Sequence, residues 1–388
     1  MVNLRGITWK HDRGFAPMLA TASRFAETHP GVRIEWQARS LQGFADNPIR
    51  QLAEEYDFIV LDHPFMGTVA KGGYLVPVEQ HISAETLATL RRESVGDSHE
   101  SYFYDGHQWA LAIDAAAQVA GYRPDLLAAA GVKVPVTWDE VLALSRIRPG
   151  FVTMPLLPVD SLCSFFTLCA SSGEDPFRSS LGSGKIVSDQ TGEEALHRLQ
   201  DLAGCGAAEA LEWNPIKVWE KMSTTDEIAF CPLGFGYSNY ARAGYRKSPI
   251  QFTNIPTSGS AGPAGSVLGG AGFAISARCR ELSTAAEYAT WVAGAECQRT
   301  LYVQSGGQAG NRVAWTDPET NGITNHFFEA TLPTLERAYM RPRFPGFVEF
   351  QAEASLLVGD FLREKNSSTI TLRLLNECYS GWAGPRHK

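Results

Sequence analysis

A chain of 388 residues is long for a single hydrophobic core, so its length favours two lobes of about 100–200 residues each. Hydrophobic residues make up 44% and charged residues 20% of the sequence, a balance typical of a folded globular protein and not of a disordered one. The formal net charge is -8 and Lys and Arg form no long run, so the sequence offers no electrostatic basis for binding nucleic acid.

The seven cysteines indicate reduced thiols and not a disulfide framework. Their number is odd, they are scattered, and several lie in apolar segments such as the stretch from Cys163 to Cys169. No Cys-x-x-Cys pair and no His/Cys cluster at metal-ligand spacing occurs, so we expect neither a structural zinc nor another cofactor. No run approaches the roughly 20 apolar residues of a membrane span, and Met1 passes into a strand-like segment without a signal-peptide pattern.

The chain opens with a strand, a helix and a second strand. Residues 4–9 predict the first strand, and Pro17 is predicted to open a helix whose apolar residues recur at helical spacing. Residues 32–37 alternate between apolar and polar side chains, and the run 58–61 is typical of a fully buried parallel strand. This alternation predicts a doubly wound sheet, in which ligands lie at the carboxyl ends of strands.

Further along, residues 104–112 predict a hairpin with Asp105-Gly106 as its turn. Thr137 and Glu140 form a capping box that begins a helix. The remaining predictions are a helix at about 48–56, a strand at 119–122, a buried strand at 228–233, a loop rich in Gly, Ser, Ala and Pro at 256–270, a strand at 272–276, one amphipathic helix from 283 to about 303, and helices after 345.

Five stretches of sequence together resemble one protein family. The strongest runs from Trp109-Ala110-Leu111-Ala112-Ile113-Asp114 through 121–127 to the capping box at 135–140. The other four are 25–32, then 56–62 followed by 73–77, then 226–239, and finally 269–276 with 285–289 and 296–298. In this order they resemble the family 1 extracellular solute-binding proteins, the maltose-binding-protein-like group of carbohydrate importers.

The resemblance implies an α/β fold of the two-lobed, type II periplasmic-binding-protein kind. Each lobe would be a mostly parallel sheet flanked by helices, with the ligand cleft between the lobes. Lobe 1 would comprise residues 1–112 and 266–312, lobe 2 would comprise 115–264 and 316–388, and the chain would cross near 113, 265 and 313. The protein would be a monomer that captures a sugar, polyol or sugar acid by lobe closure and passes it to the permease subunits of a bacterial ABC transporter.

The loop after the first strand contains three candidate ligand-binding residues. Trp9 can stack on the C–H face of a sugar, and His11 or Arg13 can donate hydrogen bonds to hydroxyls or to a carboxylate. The alternative is that Trp9 is a core residue and that the polar pair forms a solvated turn.

A second loop, after residues 58–61, contains Asp62, His63 and Phe65. As the resemblance implies for a carboxylate at this point, Asp62 would accept hydrogen bonds from sugar hydroxyls, each worth about 1.5–3 kcal/mol. The alternative is that Asp62 and His63 cap the next helix.

Asp114 follows the apolar residues 111–113, where a carboxylate is costly unless it is paired or hydrogen-bonded. Ligand hydroxyls or a cationic side chain such as Arg312 are the candidate partners. The alternative is a structural salt bridge within the hinge.

Two aromatic residues and two glycines are further candidates. The resemblance implies that Phe235 and Tyr237 place a ring against the ligand, whereas the alternative is an apolar strand end. Gly269 and Gly270 let the backbone approach a ligand, or they form a flexible hinge.

Three polar residues complete the predicted site. Gln308 and Arg312 lie in a polar loop that follows a helix, and Arg343, flanked by prolines, indicates an anionic ligand group. The alternative for Arg343 is an ordinary surface position.

The sequence contains no GxSxG, HExxH or GxGxxG motif in a catalytic setting, so we expect a binding protein and no enzyme. A cytoplasmic isomerase or lyase stays open as an alternative if His11, Asp62, His63 and Asp114 share one cleft. A cytoplasmic sensor on the same scaffold is another. The resemblance implies a periplasmic or extracellular location, whereas the absence of a signal-peptide pattern and the reduced cysteines suit the cytoplasm.

Overall fold

The structure is a computed structural model that describes residues 1–40, 43, 48–178, 184–258 and 262–383. The chain divides into two compact units. The first unit comprises Met1–Ala116, Gly269–Ile323 and Arg343–Pro345, and the second comprises Ala117–Leu268, Thr324–Pro342 and Gly346–Lys388. The lobe limits expected from the sequence, with crossings near 113, 265 and 313, stay a prediction.

The chain up to residue 116 lies in the first unit. Its strands are β1 (Val2–Trp9), β2 (Val32–Arg39), β3 (Phe58–Leu61), β4 (Phe103–Tyr104), β5 (His107–Gln108) and the beginning of β6 (Leu111–Tyr122). Its helices are α1 (Asp12–Thr28), α2 (Ile49–Glu55), α3 (Met66–Gly72) and α4 (Ala84–Arg92), with short 3-10 helices at His63–Phe65, Val78–Gln80 and Glu100–Tyr102.

Strand β6 ends in the second unit, and the chain returns to the first unit at strand β9 (Leu268–Ile275). Between them lie β7 (Phe230–Phe235), β8 (Gln251–Thr253), α5 (Pro124–Ala129), α6 (Trp138–Ser145), α7 (Pro158–Ser171), α8 (Asp189–Cys205), α9 (Pro215–Thr224) and 3-10 helices at Ala208–Glu212 and Ser238–Ala241. The later helices of the first unit are α10 (Leu282–Ala293), α11 (Ala295–Cys297), α12 (Arg312–Thr316) and α13 (Pro318–Ile323), and those of the second unit are α14 (Phe327–Glu336), α15 (Phe347–Glu364) and α16 (Ser368–Ala383).

Local sequence signals predicted several of these elements correctly. The hairpin β4–β5 turns at Asp105 and Gly106, which have φ of 51° and 80°, as a two-residue hairpin turn requires. The Thr137–Glu140 capping box begins α6. The single helix predicted from 283 to about 303 is wrong, because Gly294 adopts an extended backbone and separates α10 from α11, which continues as a π-helical turn over Gln298–Tyr302.

In the first unit, four strands form a mostly parallel sheet in the order β2-β1-β3-β9. Strand β1 pairs in parallel with β2 and β3, and β9 pairs antiparallel with β3. The carboxyl ends of β1, β2 and β3 and the amino end of β9 therefore meet at one edge, which we call the site edge.

In the second unit, the pairs of β6 with β7 and with β8 are both antiparallel, whereas the isolated bridges Thr137–Thr257, Val152–Phe230 and Val267–Tyr339 are parallel. The expectation of a mostly parallel sheet therefore holds for the first unit and not for these pairs. A buried apolar strand has the same residue pattern in either direction, so the sequence does not report its orientation.

The core of the first unit is built from aromatic rings. Phe58 makes an edge contact with Phe273 at 5.0 Å and stacks on Trp36 at 5.9 Å between ring centroids. Tyr288 lies in the same cluster, where its hydroxyl bonds Thr21 at 2.8 Å and accepts from the Trp36 indole N–H at 3.3 Å. Its polar atom is thus satisfied in an apolar setting.

Five of the seven cysteines are buried, and none of the seven, all of which lie in the described ranges, forms a disulfide. Across the described ranges, no helix combines the length and the apolar character that a membrane crossing needs.

An ion pair in the first unit generates a pH-dependent prediction. His29 stacks on Phe25, and its Nε2 lies 3.0 Å from Glu287 Oε1; this bond raises the pKa of His29 above 6.5. Because the folded pKa exceeds the unfolded one, the pair stabilises the fold fully below about pH 6.5, and this contribution is lost as the pH rises through the folded pKa. Glu287→Gln should therefore lower the melting temperature at about pH 5.5 and have little effect at about pH 9.

The matched control is Glu27→Gln, which removes the carboxylate of an exposed pair with Arg24 in α1 and should act equally at both pH values. A Glu287→Gln effect of the same size at both pH values would contradict the assignment.

Candidate ligand-binding site

Twelve of the fourteen predicted site residues lie in the first unit, and two lie in the second. Those in the first unit are Trp9, His11, Arg13, Asp62, His63, Phe65, Asp114, Gly269, Gly270, Gln308, Arg312 and Arg343, and those in the second are Phe235 and Tyr237.

The end of β1 leads directly into the start of α1. His11 is the N-cap of α1, and its Nδ1 accepts a hydrogen bond from the Arg13 backbone N–H at 3.0 Å. This cap begins the helix immediately after the strand, so the side chain of Arg13 emerges at the site edge.

Trp9 is 4% exposed and belongs to the core cluster of the first unit. A Cβ at position 14 would overlap its indole ring, which is why Gly14 can pack flat against it. The Arg13 guanidinium lies 6.0 Å from the ring centroid. These contacts favour the core alternative for Trp9, and its stacking on a ligand stays a prediction.

Arg13 and Asp114 form a buried, two-point ion pair. Arg13 Nε donates to Asp114 Oδ2 at 2.8 Å, and Nη2 donates to Oδ1 at 2.5 Å; the side chains are 5% and 1% exposed. The suggestion that Arg312 pairs with Asp114 is therefore corrected: Arg312 is exposed, and its backbone N–H donates to the Glu93 carbonyl.

Burial raises the pKa of Asp114, and the neighbouring Arg13 charge opposes this rise. The nearby charge of Asp62 raises the same pKa further. The two carboxyl groups are thus close enough to sense each other, as expected of residues that share the site edge.

The backbone around Asp114 is held by two other predicted residues. Gly270 has φ of 120°, and a Cβ there would overlap the Asp114 carbonyl oxygen. The side-chain amide of Gln308 donates to the Ala115 carbonyl at 2.8 Å, and the backbone carbonyl of Gln308 accepts from the Ala115 N–H at 3.2 Å. Gly270 and Gln308 therefore position Asp114 through main-chain contacts.

Asp62, His63 and Phe65 follow β3 in a 3-10 turn. Asp62 Oδ1 accepts from the His63 backbone N–H at 2.8 Å and lies 3.0 Å from His63 Nδ1. The capping alternative is thus realised, while the Asp62 side chain stays 23% exposed. His63 and Phe65 are buried, at 1% and 7% exposure.

Arg343 is fixed by backbone carbonyls. Its Nη1 donates to the carbonyls of Glu100, Ser101 and Phe103 at 2.8, 3.1 and 2.6 Å. Arg343 therefore anchors the 3-10 turn before β4, and its contact with an anionic ligand stays a prediction.

In the second unit, Phe235 ends β7 and is half-buried, and Tyr237 is 5% exposed. The Phe235 carbonyl accepts from the Trp219 indole N–H at 2.9 Å, and the Tyr237 ring lies 6.4 Å from that of Tyr240. The apolar strand end is thus realised, and ligand stacking stays a prediction.

Sequence reasoning missed Arg39, the last residue of β2 at the site edge. It is 9% exposed, its Nη2 donates to the Val60 carbonyl at 3.2 Å, and burial lowers its pKa to about 10. The available signal was a charged residue two positions past the end of the predicted strand 32–37.

Sequence reasoning also missed Asp160, in the first turn of α7 in the second unit. It is 5% exposed, and burial raises its pKa to about 8. An acidic residue inside the apolar run that follows Pro158 was the signal, because such a carboxylate is costly unless something compensates it. Over the described parts of the chain, the structure contains no group of three or more His, Cys, Asp or Glu side chains arranged to hold a metal ion.

Comparison with known proteins identifies the family. Residues 20–320 match the model of the bacterial extracellular solute-binding proteins. The chain belongs to this family. The match confirms the resemblance inferred from the five sequence stretches, while no functionally curated protein sequence matches the chain.

Solved structures of solute-binding proteins share the fold. MalE3 of T. maritima bound to maltose has a TM-score of 0.82 at 17% identity, with 98% of this chain and 100% of that chain covered. A solute-binding protein from Agrobacterium radiobacter K84 in complex with ribitol has a TM-score of 0.81 at 19% identity, with 97% of each chain covered. A solute-binding protein from Thermotoga lettingae bound to α-D-tagatose has a TM-score of 0.83 at 17% identity, with 99% of this chain and 100% of that chain covered. This solute-binding protein therefore has the α/β fold that its sequence predicted.

The buried ion pair generates a stability prediction for this solute-binding protein. Arg13→Met alone should lower the free energy of unfolding by about 3–5 kcal/mol, because it leaves the Asp114 carboxylate buried without its partner. Arg13→Met combined with Asp114→Leu should lose much less than the sum of the two single changes. Urea unfolding of all four proteins measures the coupling.

Arg24→Met, in the exposed pair with Glu27, is the control and should change stability by less than about 1 kcal/mol. Strict additivity of the Arg13 and Asp114 changes would show that the pair is not coupled.

Asp160 generates a second pH-dependent prediction. Its folded pKa of about 8 lies far above the ordinary 3.8, so the folded protein keeps a proton that the unfolded chain releases. The stability that this proton provides is fully present below about pH 4 and is lost as the pH rises through about 8. Asp160→Asn should therefore equal the wild type in stability near pH 4 and exceed it near pH 8.

Asp139→Asn, at an exposed first-turn carboxylate of α6, should show no such trend in thermal unfolding. An Asp160→Asn difference that stays constant over this pH range would contradict the buried, protonated carboxyl.

Proposed function

We propose that this protein is the solute-binding component of an ABC importer and that its solute is a sugar, a polyol or a sugar acid. The family match supports the binding role, and the structural relatives described above bind maltose, ribitol and α-D-tagatose. Delivery to permease subunits outside the cytoplasm belongs to the same proposal, as does the absence of catalysis.

The observation that carries the proposal is the Arg13–Asp114 pair beside Asp62 at the site edge. Each sugar hydroxyl is both a donor and an acceptor, so a site for several hydroxyls needs fixed partners of both kinds. Asp114 and Asp62 offer carboxylate oxygens, and Arg13 offers N–H groups. Because Asp114 and Arg13 hold each other in place, little side-chain freedom is left to lose on binding.

We propose Arg13, Asp62 and Asp114 as the polar ligand contacts of the first unit. His11 lies beside them as the cap of α1. In the second unit, Phe235 and Tyr237 are the proposed aromatic contacts and Asp160 is an added polar candidate. The mechanism, in which two lobes close on the solute, stays a prediction.

A thermal-shift screen with maltose, ribitol, D-tagatose and D-galacturonate tests the proposal. A bound solute at 100 times its Kd should stabilise the protein by about 2.7 kcal/mol and raise its melting temperature. NMR of the recovered solute should show it unchanged, whereas a chemically altered solute would favour the isomerase or lyase alternative.

A variant of Asp62 tests the site itself. Asp62→Asn should weaken binding of the hit about 10- to 100-fold, because it removes a charge-assisted acceptor. Isothermal titration calorimetry measures the affinity, and Asp97→Asn, at an exposed carboxylate of the same unit, is the control that should bind normally. Unchanged affinity in Asp62→Asn would remove the site edge as the binding site.

A further inference from the structure

Gln118 is fully buried, two residues past the point where β6 enters the second unit. Its backbone N–H donates to the Val267 carbonyl at 3.3 Å, and its carbonyl accepts from the Ser266 hydroxyl at 2.5 Å. Val267 lies immediately before Leu268, the last residue of the second unit on the chain's return to the first. The chain passes between the units at Ala116–Ala117 and at Leu268–Gly269, and the second-unit ends of these two passages, which we call their roots, therefore lie side by side.

The side chain of Gln118 ties these passages to helix α7. Its Nε2 donates to the Ser164 hydroxyl at 3.0 Å, and its Oε1 accepts from the Thr167 hydroxyl at 2.6 Å. The Thr167 oxygen in turn accepts from the Val267 backbone N–H at 3.0 Å. A closed ring of hydrogen bonds thus links Gln118, Thr167 and Val267, and all of its members are fully buried.

The passage that begins after Pro342 is connected to the same residues through Tyr339. The Leu268 N–H donates to the Tyr339 carbonyl at 2.8 Å, and the Tyr339 N–H donates to the Ser266 carbonyl at 2.6 Å. Tyr339 lies shortly before Arg343–Pro345, the segment by which the chain enters the first unit again. We call the side-chain and backbone hydrogen bonds among Gln118, Ser164, Thr167, Ser266 and Val267 the Gln118 node.

We propose that Gln118 is a positioning residue of the binding cycle. The Gln118 node makes the roots of the two passages at Gln118 and Val267 move together, and this coupled movement limits the rate at which bound solute is released. The inference rests on the proposed function. A buried polar network specifies one geometry only while each member is satisfied, whereas apolar packing tolerates sliding. Loss of the Gln118 amide leaves the Ser164 and Thr167 hydroxyls to reorient.

Amide hydrogen exchange on the free protein tests the node without a solute. Gln118→Met keeps the side-chain length but removes the amide, and Thr167→Val keeps the shape but removes the hydroxyl. Gln118→Met should speed exchange of the Val267 amide about tenfold, although the acceptor of that amide is intact, because Thr167 loses its orientation. The double variant should exchange no faster than Thr167→Val alone.

Thr331→Val is the matched control, since Thr331 is an equally buried threonine whose hydroxyl donates to the Phe327 carbonyl of its own helix. It should leave the exchange of Val267 unchanged. If the Val267 amide exchanges at the same rate in Gln118→Met as in Thr331→Val, the node does not exist as a coupled unit.

Stopped-flow release of maltose, ribitol or D-tagatose tests the functional half. Gln118→Met should release the bound probe about tenfold faster than the wild type and than Thr331→Val. Release at the wild-type rate would overturn the functional role. If none of the four solutes of the thermal-shift screen binds the wild-type protein, the proposed function fails by itself, and the exchange rates still decide the node.

Discussion

The first unit of this protein depends on one electrostatic constraint, the burial of Arg13 and Asp114 with almost no access to water. Two buried charges are tolerable only if they meet in good geometry, and here two hydrogen bonds of 2.8 and 2.5 Å join them. Arg13 comes from the start of α1 and Asp114 from β6, so the pair fixes a helix to a strand about one hundred residues away along the chain. Close to the pair, Gly14 packs against the Trp9 ring and Gly270 against the Asp114 carbonyl, where a Cβ would not fit.

In the proposed site, the same pair supplies groups that suit a hydroxyl-rich solute. Arg13 lies in the first turn of α1 just past the carboxyl end of β1, Asp62 follows the carboxyl end of β3, and Asp114 joins them from β6. An ion pair presents donors and acceptors with no net charge. Asp62, partly exposed and close enough to affect the pKa of Asp114, adds a further acceptor. Such a set offers solute hydroxyls both donors and acceptors.

Much of the fold could be predicted from local sequence signals, because those signals act over a few residues. The buried strand at 58–61, the Asp105-Gly106 turn and the Thr137–Glu140 capping box are examples, and the structure confirms each. Asp114 was recognised as a costly charge, but its partner was misjudged, because the apolar pattern around a residue does not report which distant side chain meets it. Arg39 and Asp160 were missed for the same reason: burial is a tertiary property. The antiparallel direction of β7 and β8 could not be predicted either, because the residue pattern of a buried strand does not depend on its direction.

The most direct test of the account is a crystal structure of the protein grown with a solute that the screen identifies. The account predicts solute hydroxyls within hydrogen-bonding distance of the Asp114 and Asp62 carboxylates, with the Arg13–Asp114 pair still joined. A solute bound elsewhere, with the site edge filled by water and Asp114 facing only Arg13, would show that the ion pair is purely structural and would contradict the account.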